Sequence, residues 1–347
     1  MSGHSRASFV ALRDAGADLT LVHRAATADA PYDDSRLDLG VETSRWSTEA
    51  DEAAIRDQVE RFAPDTLLVC SWDVGAYRRV SRAMKGRTLR ILCMDNSWLG
   101  TAKQWGGRLV SPAVIRPSYD VAFLPGERQA VFARRLGFGD DRILWGFYTC
   151  DHPLFSAIGG HGRAGLAPAF VFAGRLVAAK GADVLAEAYR RYRSTAADPW
   201  PLILCGTGPL AGAFAGLDGV DALGFVQPEE IPAVFARSGC LVLPSRFEPW
   251  GVVIHEAASA GLAVVCSTAC GASTRLVLDG YNGAVVGVGD PAALAAAMSW
   301  VAAAGTDGAA LSRRSTELAR QFTPARWAEY LLERIPAQRR RLGLDPS

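Results

Sequence analysis

Nine short apolar runs punctuate this 347-residue chain, and they are continuous rather than alternating. They are "LTLVH" (19–23), "TLLVC" (66–70), "LRILCM" (89–94), "VAFL" (121–124), "RILWGF" (142–147), "AFVFAG" (169–174), "LILCG" (202–206), "CLVLP" (240–244) and "AVVCS" (263–267). A strand that is apolar on successive residues is buried on both faces, which calls for a parallel sheet with helices on each side. Helical patterns at 51–62, 127–136, 181–194, 229–238 and 251–260 fall between the runs and supply those layers. The chain is too long for one ordinary core, so two doubly wound α/β domains are expected. The seam is expected near 151–168, where Pro, Gly and small residues cluster.

The two ends are less regular. The chain opens on a helix-like stretch, "RASFVALRDAG", so the amino-terminal domain reads as lacking a first strand. Near the other end "TPARWAEYLLERI" (323–335) reads as a helix, with Thr323 as N-cap and Pro324 at its first position.

Charge excludes some partners. Lys and Arg total 37 and Asp and Glu 36, so no global field points to nucleic acid. Locally, residues 74–116 carry nine basic residues (Arg78, Arg79, Arg82, Lys85, Arg87, Arg90, Lys103, Arg108, Arg116) against one acid, Asp95. Solvated helix faces account for such a run, and a patch for an anionic acceptor or lipid headgroups is the alternative. The seven cysteines sit mostly inside apolar runs, which fits reduced thiols in a cytoplasmic protein. No run approaches the roughly 18 apolar residues of a membrane span, and the start lacks a signal-peptide core. Contact with the inner face of a membrane remains compatible with this composition.

Three glycine-bearing turns follow strands in the second half. "FAGRLVAAKG" holds Gly174, Arg175, Lys180 and Gly181. A forked guanidinium beside a mobile ammonium suits a diphosphate, although two surface charges flanking a helix start fit equally well. "CGTGP" supplies Gly206 and Gly208, a turn through which backbone can approach a ligand; it lacks the third glycine of a dinucleotide fingerprint, and a plain turn also explains it. The third, "SRFEPWGVVIHEAASAG" (245–261), sets Glu248 before a helix whose free N–H groups and partial positive charge favour an anion. Glu256 lies about five residues into that helix, roughly 7–8 Å further on. That offset suits a carboxylate at each end of a sugar diphosphate and its ribose, whereas an exposed amphipathic helix would also place two glutamates so. His255 points to another helix face and is expected to pack. No metal-ligand spacing or Ser-His-Asp arrangement is recognisable.

In order and spacing, "GRLVAAKG", "GTGP", "GFVQPEEIPAVFARSGCLVLPSRFEPWGVVIHEAASAG" and "DGYNGAVVGVGDPAALAAAM" resemble the donor half of retaining GT-B glycosyltransferases that use nucleotide sugars, with the Glu–seven residues–Glu motif. The resemblance implies two Rossmann-like domains facing across a cleft: an acceptor-side domain over 1–155, a donor domain over 156–320, and a 321–347 helix returning to the first. It implies that Arg175 and Lys180 hold the diphosphate, and that Glu248 with the amides of Trp250, Gly251 and Val252 holds the sugar and distal phosphate. Glu256 would bind the ribose, with Gly206, Gly208 and the backbone near Phe225 and Val226 by the base and ribose, and Gly174 a further donor-binding residue. No metal or other cofactor is expected, because these cations and the helix terminus stabilise the leaving diphosphate. Transfer to a hydroxyl of a sugar, lipid-linked glycan or small molecule with retention, on the face the diphosphate leaves, follows from the same resemblance.

Three departures accompany it. The family's first strand and Gly-Gly loop have no counterpart beyond Gly3 and His4; Asp95 and Asn96 stand where the family usually has a histidine; and Arg275 stands where many members have a glutamate. A catalytically silent nucleotide-sugar-binding protein and a sugar-nucleotide epimerase are the alternatives to a transferase.

Overall fold

The computed structural model describes residues 3–24, 39–46, 51–159 and 164–345. They form two compact units, one of residues 1–149 with 324–347 and the other of residues 150–323.

The first unit runs α1 (Gly3–Asp14), β1 (Thr20–Arg24), β2 (Glu42–Trp46), α2 (Glu52–Phe62), β3 (Thr66–Val69), α3 (Gly75–Ala83), β4 (Leu89–Cys93), α4 (Ala102–Val114), β5 (Val121–Leu124), α5 (Glu127–Arg135) and β6 (Ile143–Trp145). Strands β3 to β6 pair in sequence order in a four-stranded parallel sheet, and β1 and β2 form a separate parallel pair. Every residue of β4 and β5 is buried, as continuous apolar runs require. Gly3 and His4 open α1 rather than a glycine-rich loop, which corrects their reading as a remnant of one.

The second unit follows as α6 (His152–Gly159), β7 (Phe170–Ala173), α7 (Ala182–Thr195), β8 (Leu202–Cys205), β9 (Val220–Gly224), α8 (Ile231–Ala236), β10 (Cys240–Leu243), α9 (Val252–Ser259), β11 (Ala263–Ser267), α10 (Ser273–Leu276), β12 (Gly283–Val286), α11 (Pro291–Ala302) and α12 (Gly308–Ala319). All six strands form one parallel sheet in the order β12-β11-β10-β7-β8-β9. The chain winds outward one way from β7 and the other way from β10, so the switch point lies between these two strands. Asp290 caps α11 by accepting from the amides of Ala292 (3.0 Å) and Ala293 (2.9 Å), with Pro291 at the first helical position.

Helix α13 (Pro324–Arg341) belongs to the first unit, where its residues pack on α1 and β4. Trp327 is buried there and its indole donates to the Phe147 carbonyl at 3.0 Å.

Strands β2, β9 and β12 are absent from the nine apolar runs. "ETSRW" and "VDALG" are too polar to announce a strand, and β9 and β12 are the two edges of their sheet, where one side needs no partner. Helices α3, α4 and α12 were likewise hidden among basic, glycine-bearing or small residues.

Candidate functional site

The switch point of the second unit gathers the sequence-derived residues by the backbone alone. The turn after β7 and the turn after β8 are laced together: Gly174 N donates to Cys205 O (2.9 Å), and Leu176 N donates to Thr207 O (2.8 Å). At Gly206 a Cβ would sit 1.9 Å from Gly174 O, and at Gly208 one would sit 2.4 Å from Leu176 O. Glycine in "CGTGP" is therefore required by this close approach of two turns. The turns after β7 and β10 meet just as closely. Gly181 has φ +69°, and a Cβ there would lie 2.0 Å from Pro244 O. Arg246 N and Phe247 N both donate to Ala179 O, at 2.8 and 3.1 Å.

On this frame Lys180 forms an ion pair with Glu248. The side chains are 23% and 10% exposed, so solvent weakens their attraction little. Ser245 Oγ lies 3.4 Å from the same Glu248 oxygen. The resemblance assigned Lys180 to the diphosphate and Glu248 to the sugar and distal phosphate; the fold places the two side chains against each other. Arg175 stands exposed in the turn after β7. Phe225, 45% exposed, and Val226 follow the carboxyl end of β9, whose Gly224 carbonyl accepts from Gly206 N at 2.6 Å.

The segment 248–256 is held from behind. Gly271 N donates to Glu248 O (3.1 Å) and Ala272 N donates to Trp250 O (2.8 Å). The Trp250 ring is buried. The amides of Trp250, Gly251 and Val252 have no partner among the described residues, so the start of α9 presents N–H groups, as helix starts do. One and a half turns along, Glu256 is half-buried. Burial pushes its carboxyl up to about 7, and the Asp151 carboxylate adds to the rise. Ser259, on the same helix, lies 3.1 Å from His152 Nδ1 and 3.3 Å from Cys150 Sγ. His255 is fully buried and meets Phe322 edge to face, so it packs.

Two contributors escaped sequence reasoning. Arg246 makes a forked pair with Asp183 (2.6 and 2.7 Å) and donates to Ala178 O (2.9 Å), clamping the loop that carries Lys180. Its guanidinium holds the Asp183 carboxyl below the usual range. Asp151 reaches Glu256 only through the tertiary fold; in sequence it belongs to a linker.

Asp95 and Asn96 lie in the first unit, just past the carboxyl end of β4. Tyr148 Oη donates to Asp95 Oδ2 at 3.0 Å, and Trp72 Nε1 donates to Asn96 Oδ1 at 3.2 Å. Burial, and then the Asp95 charge, raise the Tyr148 phenol well above its ordinary value. Arg275 is exposed on α10.

Residues 167–303 match the family described as glycosyl transferases group 1. A 126-residue stretch is 32% identical to alpha-D-kanosaminyltransferase of Streptomyces kanamyceticus, covering 34% of this chain and 32% of that protein. A 239-residue stretch is 28% identical to D-inositol 3-phosphate glycosyltransferase of Stackebrandtia nassauensis, covering 64% of this chain and 47% of that protein. The chain thus spans less than half the length of either curated relative. Among solved structures, Anabaena HepE in complex with UDP and glucose superposes with a TM-score of 0.76 at 17% identity, over 96% of each chain. Sucrose-phosphate synthase from Thermosynechococcus elongatus gives a TM-score of 0.72 at 16% identity, over 98% of this chain and 92% of that one. The fold is GT-B.

Proposed function

We propose that this chain is a glycosyltransferase that moves a sugar from a nucleoside-diphosphate sugar to a hydroxyl acceptor, with retention of configuration and no metal ion. The observation that carries the reading is the convergence, at one switch point, of Arg175, the Lys180–Glu248 pair, the open amides starting α9, and Glu256 further along that helix. Cations there stabilise the negative charge that builds on the diphosphate as the sugar departs, the electrostatic role a metal plays elsewhere. Lys180 shares its ammonium between Glu248 and the diphosphate, so Glu248 stays close to the transferred sugar and accepts from its hydroxyls. Glu256 accepts from the ribose hydroxyls, and Phe225 and Val226 flank the base. HepE binds UDP and glucose, which makes uridine diphosphate sugars the first donors to test. Asp95 and Asn96, just past the carboxyl end of β4, are the acceptor-side residues of this reading.

Asp95 favours a second reading. Its carboxylate is already engaged by Tyr148 where the family resembled has a histidine. A silent nucleotide-sugar-binding protein would bind donor and show neither transfer nor donor hydrolysis. An epimerase would convert donor with no acceptor present. Thermal-shift screening with uridine, guanosine and adenosine diphosphate sugars, followed by a transfer assay over an acceptor panel, separates the three.

Among the described residues no helix is long and apolar enough to cross a membrane. All seven cysteines are unpaired, which fits a cytoplasmic location. A peripheral contact with an anionic membrane face is assigned to α4, where Trp105 (45% exposed), Leu109 (78%) and Val110 (50%) lie beside Lys103 and Arg108.

A further inference from the structure

A pocket of about 260 Å³ opens at the amino-terminal edge of the four-stranded sheet of the first unit. Lys85 reaches it from beyond α3, Arg116 from the connection between α4 and β5, and Arg142 from the residue before β6. Ligands of open α/β sheets gather at the carboxyl ends of strands. This pocket lies at the other end, so neither donor nor acceptor accounts for it.

The fold sorts the basic run of residues 74–116 into spent and unspent charges. Arg78 donates to Trp72 O, Arg79 pairs with Glu52, Arg82 donates to the Ala113 and Val114 carbonyls, and Arg87 donates to Ala83 O. Arg90, fully buried, forks onto Asp120 at 2.9 and 2.6 Å. Lys85, Arg116 and Arg142 have no side-chain hydrogen bond or ion pair among the described residues, and all three line the pocket. Asp120 is the single carboxylate in the lining, and Arg90 neutralises it from behind.

The lining is also held in place. Arg90 Nη1 donates to Pro117 O (2.7 Å), and Ser81 Oγ donates to Ser118 O (2.5 Å), so the turn that carries Arg116 is tied to β4 and α3. Gly137, at φ +96°, leaves room for that side chain: a Cβ there would lie 2.8 Å from Arg116 Cδ. Tyr119 and Phe138 give the pocket apolar walls. Three uncommitted cations around a preorganised hollow suit a group with several anionic oxygens, which guanidinium forks bind two at a time. The volume is just below the roughly 300 Å³ at which pockets for drug-sized ligands begin. It admits a phosphate with a small ester substituent.

We propose that this pocket is a binding site for a phosphate monoester group, separate from the nucleotide-sugar site. Phosphate monoesters occur both as small soluble molecules and as lipid headgroups. The test starts from Arg175→Ala/Lys180→Ala, which removes the other cluster of phosphate-binding cations. Calorimetric titration of this variant with inorganic phosphate and with glycerol 3-phosphate is expected to give saturable binding at one site, weakening as salt rises. Adding Lys85→Ala/Arg116→Ala/Arg142→Ala is expected to weaken it about tenfold or more. If that combination lowers Tm, Arg116→Gln alone is expected to weaken it about threefold. Absence of saturable binding, or affinity unchanged by the pocket substitutions, overturns the proposal. Co-sedimentation with phosphatidylcholine vesicles, with and without phosphatidic acid, identifies the source. A preference for phosphatidic acid erased by the pocket substitutions assigns a lipid headgroup; pocket-dependent binding of glycerol 3-phosphate with no such preference assigns a soluble ester.

Discussion

The carboxyl edges of the two parallel sheets end in different chemistry. In residues 150–323 the turns at the switch point are knitted by backbone contacts that only glycine permits, and they carry charge: Arg175, Lys180 against Glu248, and Arg246 against Asp183. In the first unit the corresponding edge is aromatic, with Tyr148 and Trp72 engaging Asp95 and Asn96. A site that stabilises a departing diphosphate needs fixed charge on a rigid frame. A site that accommodates a hydroxyl acceptor needs shape and hydrogen bonds, and those residue types are less diagnostic.

That contrast breaks first at the cations. Arg175→Ala and Lys180→Ala are each expected to cut turnover by about 10²–10³-fold, with a smaller change in KM for the acceptor. Steady-state kinetics over both substrates check this, and near-normal turnover in both variants would remove the donor-site assignment. Glu256→Ala comes next, weakening donor-nucleotide affinity about tenfold in calorimetry while leaving acceptor KM unchanged.

Glu256 also sharpens the comparison through pH. Its folded-state carboxyl titrates near 7 against an ordinary 4.5, so the folded protein keeps a proton that the unfolded chain has lost. Stability is therefore greatest below pH 4.5 for this group and falls as pH rises to 7, by an amount on the order of 2–3 kcal/mol. Urea unfolding of the parent and Glu256→Gln should show that slope in the first protein and not in the second. Donor affinity should rise over the same interval if the carboxylate accepts from the ribose.

In the first unit the effects are smaller. Tyr148→Phe removes one hydrogen bond from Asp95 and should cost about 1 kcal/mol of stability, raise acceptor KM, and leave nucleotide binding unchanged. A loss of nucleotide affinity in that variant would show the two edges to be coupled. The least change is expected from Leu109→Glu, which should leave transfer to a soluble acceptor as it was and reduce co-sedimentation with anionic vesicles.

Much of the second unit was legible without coordinates. Continuous apolar runs ending in glycine turns mark buried parallel strands with their loops, and the stretch from Glu248 to Glu256 runs, as "CLVLP" predicts, from the loop after β10 into α9. What escaped was edge and contact. β9 lacked a legible signal because an edge strand buries little. The basic run of residues 74–116 was ambiguous because sequence cannot show that Arg90 is buried on Asp120 while Lys85 and Arg116 remain uncommitted.

The sequence by itself determined the α/β class, the glycine turns and the residue types at the donor loops, because buried strands and close backbone approach restrict composition locally. Only the tertiary structure decided that Lys180 meets Glu248 across 68 residues and that Asp151 helps lift Glu256. Those are long-range contacts between ordinary-looking residues, and their energies depend on burial and distance, which exist only once the chain has folded.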